Sequence, residues 1–387
     1  MIDNERLLSA SMIHEGGLNS RDINELKDRG IISELTDITD LPYIYKDIEI
    51  SPRLRDKLSD IEKTMPLLRS KAESYGDMCL RYGIDIVTDK DDDYPYYWRK
   101  LSGMPSLVFI KGKRDILGEL QNGSCAVVGS RSASRYALAA TNDIVGTLVQ
   151  KDITIISGMA LGIDRQAHLT ALNNGGKTIA FLAGSPENIY PWGNKDIYEA
   201  MADRGLIVSE MPPGTKAQKQ FFPSRNRLIS GLCDVCLIME AGIQSGTLHT
   251  ASFAALQGKE VYVLPNTIYS EEALGGLMLI RDGANIIINA EDIVMNIAER
   301  CFGRLTDPKA DSVDLFSRAK TDPDSITDDE LKEMIIEELK VKARSADSIV
   351  ATLNQSYGRV SQVLSDLEIE GKVAVDRGKF ALTIFKH

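Results

Sequence analysis

Cys125-Ala126-Val127-Val128-Gly129-Ser130-Arg131-Ser132-Ala133-Ser134-Arg135-Tyr136 is the stretch on which the fold turns. Apolar residues lead into one glycine, small hydroxylated residues and an arginine follow, and from Ala133 to Gln150 the apolar positions take helical spacing. A run that is apolar at every position belongs to a strand covered on both faces. The pattern repeats: apolar runs at Ile153–Ile156, Thr178–Leu182, Leu206–Ser209, Asp234–Met239, Glu260–Leu264 and Ile286–Ile288 alternate with helical stretches at Asp164–Asn173, Ile197–Asp203, Ser224–Gly231 and Thr247–Gln257. This predicts a doubly wound α/β domain with a mainly parallel sheet, its ligand at the carboxyl ends of the strands.

Four loops at those ends carry the chemistry. In the first, Gly129, Ser130 and Arg131 stand between a strand and a helix start, where free N–H groups and the positive helix end favour a phosphate oxygen. The loop has one glycine where a dinucleotide fingerprint needs three. The next strand ends Ile156-Ser157-Gly158 with no acid to hold a ribose, so NAD is disfavoured and no cofactor is expected. The second loop runs from Ser157 and Gly158 through Gly162-Ile163-Asp164 to His168. Ser157, His168 and Asp164 can be drawn as a hydrolytic set, but a capping aspartate and a structural histidine is the preferred reading, and no catalytic residue is expected.

The third loop, Phe221-Phe222-Pro223-Ser224-Arg225-Asn226-Arg227, puts two arginines after an aromatic pair at a helix start. Guanidinium forks bind phosphate bidentately and rings stack on bases, which suits single-stranded nucleic acid. In the fourth, Ser245-Gly246-Thr247 makes a second anion cradle. Two cradles exceed the need of one small phosphate and suit a chain with several.

The flanks differ in texture. Residues 1–75 read as short helices with polar joints. From Gly83, short strands (Ile84–Val87, Ser106–Ile110) surround Asp89–Asp93, an acidic run read as a solvated turn and not a metal site. Residues 303–328 are polar and acid-rich, a linker. Helices near Asp328–Leu339, Ala346–Leu353 and Val360–Glu370 then precede two strands, Lys372–Val375 and Lys379–Thr383, joined by Asp376-Arg377-Gly378. This is the winged-helix pattern, with Val360–Glu370 in the recognition position. The expected domains are 1–75, 83–300, 303–328 and 329–387.

At 43% hydrophobic and 26% charged, the 387 residues have a globular composition with material for a large core. Ile153–Ile156 and Val235–Met239 fall far short of the ~20 apolar residues of a membrane span. The first residues carry acids where a secretory signal carries bases. Five scattered cysteines fit a reducing compartment, so the expected localisation is cytoplasmic. Cys233 and Cys236 have no second pair and read as core packing. His14, His168, His249 and His387 form no ligand cluster, and no metal is expected. The net charge of −11 argues against a polyanion partner, but residues 121–290 carry 13 bases against 14 acids, so a local basic groove there would escape the total.

Taken in order, these motifs resemble the DprA (Smf) family of DNA-processing proteins. The resemblance is carried by Gly129-Ser130-Arg131, by Ser157-Gly158-Met159-Ala160 with Gly162-Ile163-Asp164 and Ala167-His168, and by Tyr190-Pro191 with Asn194. Ser209-Glu210, Phe222-Pro223 with Arg225-Asn226-Arg227, Ser245-Gly246-Thr247 and Gly283-Ala284 continue it. It covers residues 83–300 with specific motifs and the flanks more loosely. It implies an extended Rossmann-like core between an N-terminal small helical (SAM-like) domain and a C-terminal winged-helix domain. It further implies a cytoplasmic bacterial homodimer, not an enzyme, that binds and protects incoming single-stranded DNA and promotes RecA loading in natural transformation. Family DNA contacts carry over to Ser130, Arg131, Lys177 and the segment Arg225-Asn226-Arg227. Gly129, Gly158, Phe222 and the loop Ser245-Gly246-Thr247 complete the expected phosphate-binding set.

Two other readings compete. Nucleoside-monophosphate phosphoribohydrolases resemble this fold and carry a catalytic glutamate three residues after the threonine of a Gly-Thr pair. Here Gly246-Thr247 leads to Thr250, which cannot act as that acid. The second is a nucleotide sensor in which both cradles hold one signalling nucleotide.

Overall fold

The structure, a computed structural model, describes residues 3–33, 35–306 and 328–341, and beyond these two hairpin strands and single positions between 349 and 382. Met1–Thr306 form one compact unit and Asp307–His387 a second. The first opens with α1 (Asn4–His14), α2 (Ser20–Asp28), the short α3 (Leu41–Ile44) and α4 (Pro52–Tyr82). The expectation of short helices up to residue 75 is corrected by α4, one helix of 31 residues. Its buried positions, from Leu54, Leu58 and Ile61 to Tyr75 and Cys79, keep helical spacing throughout, and Pro66 does not end it. Ser51 caps its start, and Gly83, in the left-handed conformation at φ 64°, stops it.

The α/β part follows as β1 (Asp85–Thr88), α5 (Tyr96–Lys100), β2 (Leu107–Gly112), β3 (Ser124–Gly129), α6 (Arg135–Gln150), β4 (Thr154–Ser157), α7 (Ile163–Asn173) and β5 (Thr178–Phe181). It continues through α8 (Lys195–Arg204), β6 (Leu206–Ser209), α9 (Phe221–Leu232), β7 (Val235–Glu240), α10 (Thr247–Leu256), β8 (Glu260–Val263), α11 (Leu274–Arg281), β9 (Asn285–Ile286) and α12 (Ala290–Thr306). Nine strands make one sheet in the order β1-β2-β6-β5-β4-β3-β7-β8-β9. Strand β2 is antiparallel to β1 and β6, and the pairs from β6 to β9 are parallel. The doubly wound, mainly parallel sheet is as expected.

From β3 the chain winds outward through β4, β5 and β6, then returns to the other side of β3 for β7, β8 and β9. The switch point therefore lies between the carboxyl ends of β3 and β7, where the loops at Gly129 and Glu240 part and leave a crevice. Successive strand residues point to opposite faces. Val127, Ile155 and Leu237 join the core shared with α6, α7 and α12, while Val128, Ile156 and Ile238 join the one shared with α9 and α10.

The N-terminal helices pack on the antiparallel edge, where Ile86, Leu107 and Phe109 belong to their apolar cluster. The Asp89–Asp93 turn, expected to be solvated, is an ion-paired latch instead. Arg6 donates to both Asp91 oxygens at 2.9 and 2.8 Å, Lys27 pairs with Asp89, and Arg114 donates to Asp93 at 2.7 Å. The acids face cations that are distant in sequence, which local composition cannot reveal.

In the second unit, α13 (Asp328–Val341) and the antiparallel strands β10 (Val373–Asp376) and β11 (Lys379–Leu382) are described. Leu331, Ile335 and Leu339 share one buried cluster with Ile349, Val360, Val363, Leu364, Leu367 and Val373. Most of the helices expected near Ala346–Leu353 and Val360–Glu370, and Arg377-Gly378 of the turn, lie outside the described residues. Of the expected linker, residues 303–306 belong to α12 and 307–327 lie outside the description.

Candidate nucleic-acid interface

A crevice of about 600 Å³ opens at the switch point. Its walls are Gly129 at the end of β3 with Ser130 and Arg131 beyond it, Phe222, Arg225 and Asn226 at the start of α9, and Ser245, Gly246 and Thr247 at the start of α10. Nine of the twelve expected residues thus converge, from three separate segments; the other three need separate accounts. Helix α9 starts at Phe221, three residues before the expected position, so Phe222 and Pro223 lie in its first turn. Neither α9 nor α10 has a side-chain cap on its first turn from the N-cap residue, so the partial positive charge of both helix ends faces the crevice. The Phe221, Thr247, Leu248 and His249 amides already donate, in that order, to Gln218 O, Ser245 Oγ, Ser245 O and Gly246 O.

Gly158 lines a smaller neighbouring cavity and not the crevice. Its amide and that of Ala160 both donate to Asp164 Oδ2, each at 3.2 Å. A Cβ at Gly158 would overlap Arg225 Nη1, so glycine is needed there to let the guanidinium lie beneath the loop. Gly162 has φ 75°, and a Cβ there would overlap the Ser130 carbonyl oxygen, which accepts from the Ile163 amide at 3.1 Å. Asn194 Nδ2 donates to the carbonyls of Met159 and Ala160 at 2.8 and 3.0 Å. The loop is held from below at every step.

The same contacts disperse the drawn hydrolytic set. Ser157 donates to the Val127 carbonyl at 2.6 Å, His168 Nδ1 meets Thr178 Oγ1 at 2.7 Å, and Asp164 serves the loop amides. Burial first, and then the Arg225 charge, push the His168 pKa down to about 3, leaving a neutral core histidine.

Arg225 is only 6% exposed although it lines the crevice. Nη1 donates to the Phe181 carbonyl at 2.9 Å. Burial lowers its pKa to about 10; Asp164 opposes that shift and Arg131 adds to it. Arg131 is exposed, and the two guanidinium carbons lie 5.4 and 5.8 Å from the Phe222 ring centre. Among the described residues neither arginine makes a salt bridge. Across Phe222 and Arg131 lies a smaller cavity walled by Leu182, Tyr190 and Pro191.

Two expected contact residues lie away from the crevice. Arg227 lies about 200° around the helix from Arg225; it pairs with the half-buried carboxylate of Glu210, packs against Met104, and does not line the crevice. Lys177 precedes β5 and so sits at the amino edge of the sheet, opposite the crevice, paired with Glu119 at 3.0 Å and Asp152 at 2.8 Å. The α6 start is also taken: Ser134 donates to Glu240 through N (2.9 Å) and Oγ (2.6 Å), so the chain's own carboxylate fills the position where a phosphate was expected.

Other residues of the region were not marked by pattern. His249, Thr250 and Gln244 line the crevice and Glu272 stands on its rim. Lys216 and Lys219 are exposed on the approach to α9 and make no ion pair among the described residues. Their nearness to Phe222 in sequence was the available signal. Among the described residues no three potential ligands group as a metal site, and no helix is long and apolar enough to cross a membrane.

Fold and crevice together define a Rossmann-like α/β protein with an arginine-lined crevice at its switch point. Residues 85–298 match the family described as DNA recombination-mediator protein A, and residues 319–379 match the DprA winged helix domain. The chain is 33% identical over 242 residues to DNA processing protein DprA of Bacillus subtilis, covering 62% of this chain and 80% of that protein. It is 32% identical over 315 residues to Protein Smf of Synechocystis, covering 76% and 78%. The X-ray structure of DNA processing protein A from Streptococcus pneumoniae aligns with a TM-score of 0.62 at 28% identity, over 76% of this chain and 98% of that one. The chain belongs to the DprA family.

Proposed function

We propose that this protein binds single-stranded DNA in the crevice and, as a cytoplasmic homodimer, protects the incoming strand and promotes RecA loading in natural transformation, with no chemical step of its own. The observation that carries the reading is the pair of guanidinium groups of Arg131 and Arg225, free of salt bridges and flanking Phe222 at two uncapped helix starts. Cations and helix ends serve the phosphates, the ring and the adjoining apolar cavity serve a base, and neither feature selects a sequence. Lys216 and Lys219 extend the positive path. The enzyme alternative lacks its acid, since Thr250 occupies that position and Glu240 is held by Ser134.

A salt series with a fluorescent single strand tests the reading. Arg131→Ala is expected to weaken binding and lower the log–log salt slope by roughly 0.7. Arg227→Ala and Lys177→Ala should leave the slope unchanged, because both residues face carboxylates away from the crevice. A shallow slope in the wild type, with tight binding of a mononucleotide, would favour the nucleotide-sensor alternative.

A further inference from the structure

We infer that the floor of the crevice is a phosphomonoester subsite, which takes the terminal phosphate of a strand end. The inference rests on the single-strand reading above and names a part of the strand. Arg225 carries five N–H donors and uses one, on the Phe181 carbonyl. Its Nε is buried without a partner. A buried cation with unused donors is costly unless an anion completes it. Arg131 brings a second cation to the same space, and the hydroxyls of Ser245 and Thr247 face it from the uncapped start of α10, a helix of 10 residues.

Charge selects between a bridging phosphodiester and a terminal phosphate. Asp164 is the acid that acts on Arg225, and its oxygen already serves two amides. Glu240 is held at the α6 start, and Glu272 is exposed on the rim. Two guanidinium groups less one carboxylate, with roughly half a charge from each of two helix starts, leave about two positive charges at the floor. A bridging diester brings one negative charge and two free oxygens. A monoester brings three oxygens and up to two charges near neutral pH, so it matches donors arriving from Arg225, Arg131 and α10.

The test uses the full chain and one short single strand in three forms: 5′-phosphorylated, 3′-phosphorylated, and hydroxyl-ended. One phosphorylated form is expected to bind about ten-fold tighter than the hydroxyl-ended form. That ratio should fall toward one in Arg131→Gln, whose side chain is exposed, and in Arg225→Lys. The wild-type ratio and the Arg131 variant decide the matter even if the Arg225 variant does not fold. Equal binding of all three forms overturns the subsite and leaves the single-strand reading intact. Binding of phosphorylated forms alone supports the subsite and counts against the wider groove. A nucleoside monophosphate that binds as tightly as the phosphorylated strand overturns the strand-end assignment.

Discussion

Asp164→Ala is expected to lower the unfolding free energy by roughly 3–5 kcal/mol and to abolish tight single-strand binding. The carboxylate has two duties in a buried place. It accepts from the amides of Gly158 and Ala160, and it supplies the negative charge that acts on Arg225. Alanine leaves two loop amides without their acceptor and a guanidinium without its counter-charge. The loop then loses what fixes Met159, a non-glycine residue at φ 59°, and the Arg131 segment tied to it through Ser130 and Ile163. Urea unfolding reads the stability, and a labelled single strand reads the binding.

Asp164→Asn keeps an acceptor and should lose less. The double variant Asp164→Ala with Arg225→Met removes both charges and should be more stable than Asp164→Ala alone, since it leaves no buried guanidinium without a nearby negative charge. It should still not bind the strand tightly. A double variant less stable than the single would show that the two groups do not depend on each other.

This coupling explains which parts of the site could be read from sequence. Loops at strand ends are placed by the alternation of buried runs and helices, so Gly129, Ser130, Arg131, Phe222, Arg225 and the Ser245-Gly246-Thr247 loop were legible as neighbours before any contact was known. Lys177 could have been placed apart from the crevice by the same logic, because a residue that precedes a parallel strand lies at the opposite edge of the sheet. Arg227 could have been set apart from Arg225 by helical angle alone. What pattern could not supply is the partner of each polar group. Glycine at 158 invites a phosphate reading, yet it is glycine because Arg225 lies beneath it. Ser134 marks a helix start but does not tell that Glu240, more than a hundred residues away, closes it. The acidic turn at Asp89–Asp93 is the same case beside the antiparallel edge of the sheet, where Arg6 and Lys27 answer it. Helix α4 was missed as a unit although its buried positions keep helical spacing past Pro66.

A second large effect is set by His168. The fold holds it neutral, fully buried, with its pKa down to about 3, while the unfolded chain returns it to 6.5. Between those values the unfolded chain takes a proton that the fold refuses. Its stabilising contribution is therefore complete above about pH 6.5 and is lost as the pH falls toward 3, by about 2 kcal/mol at pH 5. His14, brought down to about 4 by burial with Glu15 opposing, acts in the same direction over pH 6.5 to 4. Asp164 works the other way: burial raises its carboxyl pKa against the opposing Arg225 charge, so over the range above its unfolded value the fold binds the proton first. Urea midpoints measured from pH 7.5 to 5 should fall steadily in the wild type. His168→Gln should flatten that fall by about 2 kcal/mol at pH 5, whatever it costs at pH 7.5. An unchanged pH slope in that variant would mean that His168 takes up its proton in the fold as readily as in the unfolded chain. It would then need an acid partner within reach, a place now held by Thr178 Oγ1.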